Sequence, residues 1–349
     1  MSPEVPKPAA EVTLGDFASF DEEGDSVQDL LEESKAAAQL DEVVRTANEG
    51  PVTAESLFGV GVQLTSAHPH GSNILKKARD IQRDEDQTLA PLIRGIAERY
   101  KTWRSQSESL ACDDVDDPAE YVEEQASLYQ AYRDTLDHES VDAFDSRGAL
   151  QPSALEEFCY FLLRPVFAPF EQDLALGHRE VFQGLYFTAP TFASFAEMPT
   201  PHYPTGNLDF VIGKKIDSNL STERTSKTKS IYVPAVALEC KTYLDRPRWI
   251  ESDILASNIK RGFPGCLYIV VSEFLKLDLA KVNVLGSQID KVYVLRRAKN
   301  VDRKIRRADG SGLKPIHAPA LLDLFERVRD HLREDWVSPE SWEDSGVLK

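Results

Sequence analysis

The chain has 349 residues, of which 42% are hydrophobic, and a formal net charge of −18. That length allows two domains and that apolar content a buried core, while the longest apolar run, Cys266 to Val271, is far too short to span a bilayer. Met1 to Lys7 shows no leader pattern, and the four cysteines have neither zinc-ligand spacing nor disulfide-framework density, so a cytoplasmic protein is expected.

The charge is uneven. Residues 1–149 hold 13 Lys+Arg against 32 Asp+Glu, and residues 150–349 hold 27 against 26. The acidity belongs to the first part, and the second needs only a local basic surface to meet a polyanion. Residues 1–24 are Pro- and acid-rich without periodicity and are expected to be disordered. Leu30, Leu31, Ala37, Leu40, Val43 and Val44 predict a helix across 25–48, stopped by Gly50-Pro51. His68-Pro69-His70 reads as loop. A second helix is expected across 73–104, kinked or split at Pro91. A third runs from Pro118 to about Phe144. Residues 25–147 thus read as an acidic α-helical domain without motif or repeat.

Gly148 opens the second part, expected to extend to 336 with a tail over 337–349. Ser153-Ala154-Leu155-Glu156 reads as a capping box, and Leu155, Phe158, Cys159, Leu162 and Val166 form a core stripe of a helix ending near Pro165. Leu208 to Ile212 is a short apolar strand holding an isolated acid, Asp209. Val236 to Lys241 is a second strand, ending in Glu239-Cys240-Lys241. Alternation puts Glu239 and Lys241 on one face, roughly 6–7 Å apart along the backbone. A helix over about Arg248–Arg261 and strands over Cys266–Ser272 and Val292–Leu295 follow.

Acid-x-Lys occurs three times, at Glu33, Glu239 and Asp302, which is what random placement gives. Only Glu239 ends an aliphatic strand with a second acidic strand before it, so the context carries the signal. An Asp, a Glu and a Lys gathered at sheet edges can hold a hard divalent cation and a water, as metal-assisted phosphodiester hydrolysis requires. The chain has no Walker loop, HExxH helix or GxSxG elbow.

The order of elements around Asp209 and Glu239-Cys240-Lys241 resembles the PD-(D/E)xK nuclease superfamily, whose core is a helix, a three-strand meander, a helix and a further strand. Here the meander would cover about 182–242 and the resemblance about 150–335. Leu208 stands where the name has proline. VALECKTYLD, a helix, and then LYIVVSEF are similar to the type II restriction endonucleases of the Bpu-ten-I kind, which read short asymmetric DNA sites with two unlike subunits. The resemblance implies an α/β fold, a central mixed sheet flanked by helices, behind the acidic helical domain. It implies Mg²⁺ held by Asp209, Glu239 and the backbone carbonyl of Cys240, with Lys241 orienting the attacking water. It also implies a glutamate on the first helix facing the metal. Glu156 and Glu157 compete for that place; Glu156 is favoured by position, although capping would also explain it.

The implied partners are double-stranded DNA, a second identical or related subunit, and a DNA methyltransferase protecting the host; no membrane is involved. Lys214 and Lys215 sit in a polar loop with Arg224, Lys227 and Lys229; Arg246 and Arg248 follow the catalytic strand; Arg296 and Arg297 open a basic run. All six named first in these groups are expected to meet DNA phosphates, the alternative being a solvated surface. Other readings are a repair or mobile-element nuclease of the same superfamily, or a non-catalytic protein that binds DNA or a partner.

Overall fold

A five-stranded mixed sheet organises the protein, in the order β1-β4-β5-β6-β7. The computed structural model describes residues 52–84, 88–137, 148–308 and 310–334. The expected segments 1–24, 25–48 and 337–349 lie outside them. Among the described residues the helices before the sheet are α1 (Ala54–Phe58), α2 (Pro69–Arg83), α3 (Ala90–Ser109), α4 (Ala119–Thr135) and α5 (Leu150–Phe167). Next come β1 (Ala175–Phe182), β2 (Tyr186–Thr188), α6 (Phe192–Glu197), β3 (Thr200–His202), β4 (Thr205–Ser221) and β5 (Ser226–Leu244). The chain continues through α7 (Arg246–Gly262), β6 (Leu267–Leu275), β7 (Lys291–Val294), α8 (Asn300–Ala308) and α9 (Ala318–Arg333). β1, β4 and β5 pair antiparallel, and β6 and β7 join parallel to β5. This is the expected α/β core. No helix among the described residues is long and apolar enough to cross a membrane.

Strand alternation explains the two layers. Phe210, Ile212, Val236, Leu238, Cys240, Ile269 and Val271 face α5 and α9. Val211, Ala237, Tyr268 and Val270 face Trp249, Ala256 and Ile259 of α7. α5 is apolar nearly all round, with Leu155, Phe158, Cys159, Leu162 and Leu163 fully buried, because the sheet covers one side and the earlier helices the other. Tyr129 stacks on Phe158 with ring centroids 4.2 Å apart, and Trp103 packs edge-on against Phe161 at 5.4 Å. The described helices of the expected 25–147 domain therefore share one hydrophobic core with the sheet. The described residues from Val52 onward belong to one compact unit.

The second expected helix is split, as Pro91 suggested, with α3 placing that proline in its first turn, where the missing N–H costs nothing. Other expectations change. His68-Pro69-His70 is not a loop: Pro69 starts α2, and His70 is fully buried between Ser153 Oγ (3.0 Å from Nδ1) and Tyr132 Oη (2.5 Å from Nε2). The capping box does not form. α5 begins three residues earlier, so Ser153 lies inside it and donates to the carbonyl of Ala149. The meander starts at Ala175 rather than near 182.

The polar loop expected between the two acidic strands is a β-ribbon. After a register shift at Ile212/Gly213, pairing runs unbroken from Lys214↔Val233 to Ser221↔Ser226. Both faces of that ribbon are largely solvated, so no apolar alternation marks it in the sequence. Gly213 permits the bend, since a Cβ there would meet the carbonyl oxygen of Val233 at 2.6 Å.

Candidate active site

Asp209, Glu239, Lys241 and Glu156 converge. Lys241 Nζ lies 2.9 Å from Glu239 Oε1 and 3.4 Å from Asp209 Oδ2. The pairing of β4 with β5 explains this: Phe210 stands opposite Leu238, so the next position outward brings Asp209 toward Glu239. The Asp209 carboxylate also accepts the backbone N–H of Cys240 at 2.7 Å, which fixes its rotamer against the strand carrying the other two groups. Burial acts to lower the Lys241 pKa, but the Asp209 and Glu239 carboxylates outweigh it and hold the amine above its ordinary value. Lys241 is therefore an ammonium at neutral pH.

Glu239 is held from below. Its Oε2 accepts the Tyr268 hydroxyl at 2.6 Å, from β6. Tyr268 gives no signal in the sequence, because it stands in an apolar strand where an aromatic reads as core. A buried tyrosine hydroxyl nevertheless needs a partner, and here the partner is the site carboxylate.

The two candidate glutamates separate cleanly, since neighbours on a helix point about 100° apart. Glu157 is fully buried, accepts the His70 and Gly71 backbone N–H groups at 3.1 and 3.2 Å, and takes the Tyr100 hydroxyl at 2.7 Å. It ties α5 to α2 and α3. Glu156, free of any capping role, faces Asp209. Burial first and the Asp209 charge second push its carboxyl up to about 8.

A further residue joins them. Ligand atoms of Glu156, His178 and Asp209 all lie within 4.8 Å of one another. β1 and β4 change register here: Gly177 pairs with Val211 but Arg179 with Leu208, so Asp209 and Phe210 together face His178. Such bulges re-aim side chains. The one signal in the sequence is Gly177 itself, since a glycine inside a strand marks a bulge or a close approach.

The oxygen donors of Asp209 and Glu239, on adjacent strands, suit a hard divalent cation. The backbone carbonyl of Cys240 lies between Glu239 and Lys241 on the same strand.

The six expected DNA contacts fall out differently. Arg246 and Arg297 are exposed. Lys214 and Lys215 are exposed on the ribbon, Lys214 Nζ lying 3.4 Å from Asp173. Arg248 is half-buried, paired with Asp245 at 2.9 Å and placed over the Tyr243 ring. Arg296 is fully buried. Its guanidinium contacts Asp134 at 2.7 Å and Glu273 at 3.5 Å and donates to the Lys314 carbonyl, so it offers nothing to a phosphate at the surface. The basic run begins one residue later than its charges suggest.

The chain has an α/β fold with a central mixed sheet flanked by helices, and Asp209, Glu239 and Lys241 stand on its inner strands β4 and β5. Residues 149–311 match a family model described as Bpu10I restriction endonuclease, and that stretch contains Glu156, His178, Asp209, Glu239 and Lys241. The chain is thus similar to type II restriction endonucleases. A solved structure titled "native BbvCI A2B2 tetramer at low resolution" has the same fold, with a TM-score of 0.60 at 18% identity, covering 79% of this chain and 100% of that one. No curated protein matches the chain.

Proposed function

We propose that this protein is a subunit of a Mg²⁺-dependent type II restriction endonuclease that hydrolyses phosphodiester bonds at a specific site in double-stranded DNA. The observation that carries the reading is the meeting of Asp209, Glu239 and Lys241 in one cluster, with Lys241 Nζ within 3.4 Å of both carboxylates. Asp209, Glu239 and the Cys240 carbonyl would hold the magnesium ion, and Glu156 stands beside Asp209. Bound there, magnesium would polarise the scissile phosphate and the attacking water. The Lys241 ammonium orients that water and offsets the charge developing on phosphorus. Displacement in line leaves a 5′-phosphate and a 3′-hydroxyl.

Lys214 and Lys215 on the ribbon, Arg246 and Arg248 at the start of α7, and Arg297 supply the cations that meet phosphates. One cluster of this kind cuts one strand, so double-strand cleavage calls for a second identical or related subunit. The A2B2 assembly named for the BbvCI structure supports that arrangement. The cell would protect its own DNA with a methyltransferase, and both enzymes would work in the cytoplasm.

Incubating purified protein with plasmid and Mg²⁺ tests the reading. Discrete fragments from wild type and none from Lys241→Ala are expected. A smear would instead favour a repair or mobile-element nuclease. Intact plasmid with every divalent cation, despite retained DNA binding, would leave only a non-catalytic binding protein.

A further inference from the structure

The ribbon of β4 and β5 runs past both hydrophobic cores: none of residues 214–231 belongs to either. A two-stranded ribbon by itself is marginally stable in water. An unbroken run of pairs from Lys214↔Val233 to Ser221↔Ser226 that adds nothing to the core therefore calls for a use.

Alternation gives the ribbon two faces. One carries Ser218, Lys227 and Lys229 and is turned to the β2–β3 insertion. Tyr203 Oη lies 3.1 Å from Ser218 Oγ, and Lys227 and Lys229 line a cleft with Pro201, His202 and Tyr203. The other face carries Lys215, Asp217, Asn219, Ser226 and Ser230, all exposed. Its polar groups hold one another in place. Ser230 Oγ donates to Asp217 Oδ1 at 2.5 Å across a directly paired position, and Ser226 Oγ donates to Asn219 Oδ1 at 2.7 Å. Each serine fixes one atom of its partner, which leaves the second carboxylate oxygen of Asp217 and the amide NH₂ of Asn219 to meet something outside the chain.

Charge and position say what that is. Residues 214–233 hold five Lys+Arg against two Asp+Glu, in a chain of net charge −18, so the ribbon complements a polyanion. The major groove of B-DNA admits a two-stranded β-ribbon, and amides and carboxylates read base edges there: Asn pairs with adenine, and Asp accepts from cytosine. The strands that carry Asp209 and Glu239 continue directly into the ribbon. Asn219 stands ten residues beyond Asp209 (219 − 209), at most about 34 Å along an extended strand, which is about one turn of the duplex. A duplex lying along the ribbon keeps the bases it reads within a turn of the phosphate at Asp209.

We infer that the open face of the ribbon is the base-reading element, entering the major groove with Asp217 and Asn219 toward base edges while Lys227 and Lys229 behind it meet phosphates. The inference rests on the nuclease reading for its substrate, double-stranded DNA, and deepens it by naming the residues that select the sequence.

Selection from a duplex library with a randomised centre tests it, using the full chain with Ca²⁺ in place of Mg²⁺ so that binding is scored apart from cutting. Wild type is expected to enrich one consensus. Asn219→Ala should lose discrimination at one or two neighbouring base pairs by roughly tenfold or more, and Asp217→Ala at a different one. Neither should weaken non-specific binding or change the melting temperature. Lys227→Ala and Lys229→Ala should keep the consensus and weaken every duplex alike, with a shallower salt dependence. No consensus from wild type, or an unaltered consensus in both Asn219→Ala and Asp217→Ala, would overturn the inference. Plasmid cleavage in Mg²⁺ separates it from the nuclease reading. If wild type gives discrete fragments and both variants give the same fragments at the same rate, the ribbon is not the reader and the nuclease stands. If no cation supports cutting while Asn219→Ala still relaxes the consensus, the nuclease reading fails and the ribbon remains a reader of DNA.

Discussion

The Tyr268 hydroxyl donates to Glu239 Oε2 at 2.6 Å, from the strand next to the one that carries the carboxylate. With Lys241 on the other oxygen at 2.9 Å, Glu239 is held at both ends, and its orientation toward Asp209 is set before any ligand arrives. Partners of this kind typically change metal affinity or activity by about 10–100-fold when removed. Tyr268→Phe keeps the ring in its pocket and deletes only the donor. Its expected effect is a Mg²⁺ requirement raised by roughly tenfold or more, with cleavage recovered at high Mg²⁺. A Mg²⁺ titration of plasmid cleavage that overlays wild type would show that the hydroxyl is structural only.

Arg296 and Arg297 are neighbours with opposite fates. Arg296 closes a buried network in which Glu273 also accepts from Arg133 Nε at 2.6 Å and from the Tyr129 hydroxyl at 3.2 Å. Removing one member strands a charge away from water, which typically costs about 3–5 kcal/mol. Arg296→Ala is therefore expected to lower denaturant stability by that order. Arg297→Ala should leave stability unchanged and weaken DNA binding, with a shallower salt dependence. Equal stabilities for the two variants would contradict the buried network.

The sheet, and the closeness of Glu239 to Lys241, were legible because both depend on short-range patterns. Val236 to Cys240 alternates faces, and that alone puts Glu239 beside Lys241. What the sequence hid are relationships across distance. Arg296 reads as surface charge because its partners, Asp134 and Glu273, lie far away along the chain. Ser153-x-x-Glu156 reads as a cap because helix starts are set by packing as well as by local chemistry. In this case Leu150 is fully buried and Ser153 meets His70 of α2 at 3.0 Å, so packing extends the helix backward. His178 joins the site only through a bulge opposite Asp209, a tertiary event that a lone glycine merely hints at. The 214–229 ribbon carries no apolar period for the same reason that it is exposed.

Gly177 offers a test of that bulge. An alanine at φ +85° would carry a left-handed penalty of about 1–2 kcal/mol, and its Cβ would also collide with backbone at Ser66. Neither can be relieved by a side-chain rotation. Gly177→Ala is expected to lower stability by about 2 kcal/mol or more and to depress cleavage further than stability alone explains, because His178 and Asp209 lose their register. Gly184→Ala makes a useful control, since a Cβ there meets nothing within 4 Å although φ is +150°. A Gly177→Ala protein as stable and active as that control would show that the bulge is not needed.

Glu157 sets a pH dependence with a definite sign. Burial pushes its carboxyl from 4.5 up to about 7. Below pH 4.5 the group is protonated in folded and unfolded chains alike, and its contribution is fully present. As pH rises from 4.5 to 7 the unfolded chain releases the proton while the folded chain keeps it, so stability falls by about 1.4 kcal/mol per unit, or roughly 3 kcal/mol in all. Above 7 both states are ionised and the loss is complete. His70, packed against the same carboxylate, works in the other direction. Burial lowers its pKa from 6.5 to about 3, so its contribution is present above 6.5 and is lost as pH falls toward 3. A difference measurement cancels His70. The stability of Glu157→Gln minus that of wild type should climb by about 3 kcal/mol between pH 4.5 and 7 and stay level above it. Urea unfolding at half-unit pH steps reads this directly, and a difference that is flat across the window would mean that Glu157 is ionised in the folded protein throughout.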